Sequence, residues 1–190
     1  MKERPLICQS ESVIGILEGR KTQTRRVVKE RVSISDHGMG HNPMVLHKGD
    51  WYRPVEWSPY GQPGDRLWVR ETWAYIFNSG SEPPTYTTYF KANGNTLPGI
   101  NKWRPSIFMP RWASRITLEI VNIRVERVQD ISEEDAKAEG TKGLYDDWAG
   151  PGKLTYRKPY KALWDSINSK RGYGWDVNPW VWVIEFKVLQ

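Results

Sequence analysis

The sequence predicts an α+β fold in which strands curve into a barrel, with helices on its flank and long irregular insertions. Three observations lead there. Three segments alternate side chains at the strand period, one of them slips by a residue in mid-run, and further segments carry helical spacing between caps.

The elements follow in chain order. Ser10 caps a short helix whose Val13, Ile14 and Leu17 share one apolar face, and Gly19 terminates it. Leu67-Trp68-Val69-Arg70-Glu71 reads as a strand after the turn at Pro63-Gly64-Asp65. Ile116, Leu118 and Ile120 alternate with Thr117, Glu119 and Val121, after which the apolar set shifts to Ile123 and Val125. That slip is the mark of a β-bulge, which lets a strand bend around a barrel. Ser132-Glu133-Glu134-Asp135 resembles a capping box, with Ile131 as staple and Gly140 as stop. Tyr160, Leu163, Trp164 and Ile167 then predict a helix opened by Pro159. Trp180, Trp182, Ile184 and Phe186 form the core face of a last strand. Residues 32–64 and 78–104 read as irregular insertions, the second with a hairpin strand at Tyr86 to Lys91.

Composition narrows the class. At 190 residues and 22.2 kDa there is room for one domain, taken as residues 1–190 with those two insertions. Lys and Arg number 28 against 22 Asp and Glu, a net +6 that attracts polyanions. A single cysteine, Cys8, excludes an internal disulfide and zinc sites built on paired thiolates, which suits a reducing cytosol. The charged N-terminus and the shortness of its apolar run predict neither signal peptide nor membrane span, and therefore a cytoplasmic protein. Eleven tryptophans offer flat faces for stacking bases, although filling and covering a core is the ordinary use of each ring. His37, His41 and His47 lie among glycines and Pro43 without helical spacing, so they read as loop histidines; no metal and no cofactor is expected.

The strongest local signal is Gly19-x-Lys21-x-x-Thr24-x-Arg26 at a helix end. The segment from Leu17 to Arg26 resembles the signature of ASCH domains, relatives of the PUA-like RNA-binding barrels. Gly64-Asp65-x-Leu67-Trp68-Val69-Arg70-Glu71 and Trp182-Val183-Ile184-Glu185-Phe186 are similar to the family's second and closing strands. Arg111-Trp112-Ala113-Ser114-Arg115-Ile116 is similar to longer members in bacteriophages and prophages. These islands span the barrel framework and leave the two insertions uncovered. Threonine at position 24, where many members have glutamate, resembles the family's small bacterial amidohydrolases that act on N4-acetylcytidine. The resemblance implies a PUA-like barrel, a bacterial or phage-infected host cytoplasm, a nucleoside or RNA partner, and a catalytic set of Lys21, Thr24 and Glu139.

The chemistry of that set can be read directly. Hydrolysing an acetyl amide requires a nucleophile, a base and an acid for the leaving nitrogen, and a hydroxyl with a lysine is an alternative to the Ser-His pair. Arg20, Arg25 and Arg26 would disfavour a charged Lys21, and Glu139 at a helix C-terminus faces the negative end of the dipole. The same residues also fit an exposed cationic loop touching phosphate and a solvated helix-end glutamate. Arg20, Arg26, Arg70, Glu71, Arg111, Ser114 and Arg115 are the substrate or RNA-binding candidates, with an ion pair to an arginine the alternative for Glu71. Two other functions remain open: a non-catalytic RNA-binding module, and a metal-independent ribonuclease.

Overall fold

A computed structural model describes residues 1–35, 42–80, 85–94, 102–145 and 152–189. Its frame is a five-stranded mixed sheet of β1 (Glu3–Ile7), β2 (Gln23–Val27), β6 (Arg66–Arg70), β9 (Thr117–Arg127) and β12 (Trp180–Val188). The spatial order is β1-β6-β9-β12-β2, with β1 and β6 parallel and the other pairs antiparallel. The protein is thus a mixed α+β fold dominated by sheet. Among the described residues no ladder joins the two edges, β1 and β2, which are bridged by a side chain: Arg26 Nη2 donates to the Ile7 carbonyl at 2.7 Å.

β12 lies near the sheet's centre and is buried on both faces. Trp182, Ile184 and Phe186 join an inner core with Leu6, Leu67, Val69, Leu118 and Ile120. Val181 and Val183 face an outer core with Tyr160, Trp164 and Trp175. The expected bulge is present. Glu185 pairs Asn122 and Phe186 pairs Ile120, which leaves Val121 unpaired and 53% exposed. The extra residue returns both Ile120 and Ile123 to the inner core.

α1 (Ser10–Leu17) buries Val13, Gly15 and Ile16, whereas Leu17 is half exposed. The helix therefore presents the face of Val13 and Ile16, one step round from the expected one, and its N-cap is Gln9 rather than Ser10. α2 (Glu133–Ala138) begins as the sequence predicts, with the Ser132 hydroxyl accepting from the Asp135 amide at 3.0 Å. Asp135 does not close the box; its carboxylate turns to Gln23, Arg25 and Arg124. α3 (Arg157–Asn168) starts two residues before Pro159 and packs Tyr160 and Trp164 on the outer core.

The insertions contain more regular structure than their composition suggests. Within the first, β3 (Arg31–Ser35), β4 (Asn42–His47) and β5 (Asp50–Tyr52) make an antiparallel sheet. Val45 of β4 joins the inner core, and Trp57 lies edge-on to Trp182 with His47 stacked on it at 3.9 Å. His37 and His41 lie outside the described residues. In the second, β8 (Thr85–Phe90) pairs with β7 (Trp73–Asn78), while Pro83-Pro84 and Pro98-Gly99 lie outside the described residues. A two-stranded ribbon of β10 (Leu144–Tyr145) and β11 (Leu154–Thr155) precedes α3. Among the described residues no helix is long and apolar enough to cross a membrane, and no cluster of His, Cys, Asp and Glu could hold a metal.

Candidate active site

The segment between α1 and β2 is fixed by backbone contacts on two sides. Lys21 N–H donates to the Gly15 carbonyl of α1, and Thr22 N–H donates to Ala138 at the end of α2. Lys21 also forms a bridge with Glu139, the C-cap residue of α2. Two residues 118 positions apart thereby become neighbours. Lys21 Nζ donates to Glu139 Oε2 at 2.6 Å and to the Glu139 carbonyl at 2.9 Å, with both side chains 5% exposed.

Gly140 makes this approach possible. Its φ of +81° is in the left-handed region, and a Cβ there would stand 2.9 Å from Lys21 Cβ. Gly140→Ala is therefore expected to lower stability by about 1–2 kcal/mol from backbone strain alone, and to push Lys21 away from Glu139. A thermal melt checks the first effect, and the Lys21 side-chain resonances check the second.

Arg25 holds the other oxygen of the carboxylate. Its side chain is fully buried and donates to Glu139 Oε1 at 3.2 Å, Glu126 Oε1 at 2.6 Å and Asp135 Oδ2 at 2.8 Å. Burial pulls its guanidinium pKa down, but the carboxylates of Glu139 and Glu126 outweigh this and raise it. Arg124 ties Glu126, Asp135 and Glu185 into the same network. Of the three cations expected around Lys21, Arg25 shares the Glu139 carboxylate with it, while the others are engaged elsewhere. Arg20 turns to Glu18 and the Gly140 carbonyl, Arg25 to its acids and Arg26 to Ile7 and Arg25 carbonyls. The charge in contact with the Lys21 ammonium is the Glu139 carboxylate.

Thr24 is buried on the opposite face of β2 from Arg25. It pairs with Ile184 of the inner core, whereas Arg25 pairs with Val183 of the outer core, and directly paired residues share a face. Among the described residues the Thr24 hydroxyl makes no hydrogen bond to Lys21 or Glu139. Arg26 shares this inner face, opposite Trp182. Burial pushes the pKa of the Cys8 thiol up, against the opposing charges of Arg26 and Lys21. A groove of about 670 Å³ runs beside the pair, lined by Arg20, Thr22, Lys137, Thr141 and Tyr156 among others, but neither Lys21, Thr24 nor Glu139 lines it.

The remaining candidates are engaged with partners of their own. Glu71, 1% exposed, is gripped by Arg115 through two contacts of 2.9 and 3.0 Å. Arg111 pairs with Glu3, Ser114 donates to the Val69 carbonyl, and Arg70 reaches the Ile107 carbonyl. Arg25, Arg124 and Glu126 were not singled out from the sequence as site residues. Their signal is the alternation of Arg124 and Glu126 with Ile123 and Val125, which places charge on the face of β9 turned to the outer core. Compared with family models, curated proteins and solved structures, the chain matches none.

Proposed function

We propose that the chain is a metal-independent amidohydrolase, on a PUA-like barrel, that removes the acetyl group from N4-acetylcytidine or a related acylated nucleoside. The observation that carries this reading is the buried contact of Lys21 with Glu139. Thr24 supplies a hydroxyl three residues from Lys21. The short Lys21 to Glu139 hydrogen bond is a path for a proton: transfer leaves a neutral amine and a carboxylic acid. Turnover requires the amine to turn from Glu139 to the inner face of β2 when substrate binds, where it takes the Thr24 proton as Oγ1 attacks the acetyl carbonyl carbon. Arg26, on the same face as Thr24, has guanidinium charge to offer the developing oxyanion. Glu139 protonates N4, the C–N bond breaks and cytidine leaves. Water then hydrolyses the threonyl ester to acetate.

The test is incubation of the full chain with N4-acetylcytidine, following cytidine by chromatography and searching the quenched protein for acetyl on the Thr24 peptide. Cytidine release with the adduct is expected. Release no faster than in buffer would sink the proposal.

A further inference from the structure

Among the described residues outside the candidate active site, the largest group of exposed rings stands on the β7–β8 hairpin and the short 3-10 turns at Ser106–Phe108 and Arg111–Ala113. Tyr86 is 54% exposed, Phe77 50% and Trp112 59%. Their centroids form a connected array, with Phe77 to Tyr86 at 5.2 Å and Tyr86 to Trp112 at 5.6 Å. Beneath them Trp73 and Tyr75 give a rigid floor, since Trp73 is buried and stacks on Tyr75 at 5.6 Å. Phe108, 69% exposed, follows from the adjoining turn. Rings held at fixed positions lose little freedom when a flat ligand settles on them.

Charge accompanies the rings. Residues 66–115 contain seven lysines and arginines against two acids, Glu71 and Glu82, which is five of the six net positive charges of the chain. Glu71 is already taken by Arg115. Among the described residues Arg70, Lys91, Lys102 and Arg104 form no ion pair. Arg104 lies 4.5 Å above the Tyr75 ring and donates to its hydroxyl at 3.1 Å, so one guanidinium is built into the ring array itself.

We infer that this face docks a single-stranded nucleic acid, its bases stacking on Tyr86, Trp112 and Phe77 and its phosphates drawn by the unpaired cations. Exposed rings with surplus positive charge suit a strand whose bases are free to stack, whereas a duplex hides its base faces. The surface belongs to the second insertion and its flank, and its ring contacts involve none of Lys21, Thr24 or Glu139. It stands whether or not the chain hydrolyses a free nucleoside.

Fluorescence anisotropy with a labelled single-stranded oligonucleotide, in RNA and DNA forms, and with the matching duplex tests it on the full chain. Single strands are expected to bind more tightly than the duplex, with affinity falling steeply as salt rises. Tyr86→Ala and Trp112→Ala should each weaken binding about tenfold. Tyr145→Ala, a 76% exposed ring on β10, should leave it unchanged and serves as the folded control. The two variants should release cytidine from N4-acetylcytidine as the wild type does, which separates this surface from the catalytic proposal. Absence of binding at low salt, or equal binding by all variants, overturns the inference. So does sedimentation showing a wild-type dimer that Tyr86→Ala dissociates without any nucleic-acid binding, which would make the face a protein interface.

Discussion

Arg25→Met should lower the unfolding free energy by about 3 kcal/mol, the cost of removing one partner from a buried ionic cluster. Arg25 touches Glu126, Asp135 and Glu139 with no solvent exposure of its own. Methionine matches its stem but leaves three carboxylates with less neutralising charge. Lys21 keeps Glu139 and Arg124 keeps the other two, which holds the loss toward the lower end for such clusters. Denaturant titration measures it; a loss below about 1 kcal/mol would mean that the cluster is no better than a surface pair. Acid should narrow the gap. Burial pushes the Asp135 carboxyl up, but a hydrogen bond from Gln23 and the charges of Arg25 and Arg124 outweigh it and hold the pKa below the ordinary value. A depressed folded pKa contributes stability in full above the unfolded value of about 3.9, and this is lost as pH falls through the folded value. The wild-type advantage over Arg25→Met should therefore shrink below about pH 4.

Lys21→Ala should reduce cytidine release from N4-acetylcytidine by about 10³-fold, within the span of a removed general base. The fold should survive, because Glu139 keeps Arg25 as its partner and Lys21's backbone bond to Gly15 does not need the side chain. Single-turnover rates on purified variants, with circular dichroism as the folding check, separate the chemical loss from unfolding. Glu139→Gln keeps a hydrogen-bond acceptor for Lys21 but cannot carry the shuttled proton. It should lose turnover to a similar degree while retaining nucleoside affinity. A folded Lys21→Ala protein with more than a tenth of wild-type activity would remove the lysine from the proposed chemistry.

The sheet was legible where apolar residues keep a strict period. β9 and β12 read directly, bulge included, because a one-residue slip is visible wherever one face must stay buried. β2 was not legible as a strand. Gln23-Thr24-Arg25-Arg26-Val27 has no apolar alternation, since its buried positions are polar, and Gln23 and Arg25 find their partners on distant elements. The three strands of the first insertion were hidden for a related reason: Pro43, Gly49 and His47 break the pattern, and only Val45 and its neighbours reach the core. In the site, Lys21 and Glu139 were paired through the family resemblance, and their contact adds the geometry. Arg25 escaped because a run of cations carries no sign of which acid each will meet: strand parity puts it on the far side of β2 from Thr24, where it shares the Glu139 carboxylate with Lys21.

β2 also has a ladder on one side only. Its other margin is held by Arg26 reaching Ile7 and by Thr22 reaching Ala138, while Gln23 and Arg25 tie its outer face to the acids of α2 and β9. Arg26, which would face the oxyanion, is thus also a rivet of the strand that carries Thr24. Charge changes at Arg25 or Arg26 will shift the strand as well as the chemistry, so reactivity and architecture have to evolve together at these two positions.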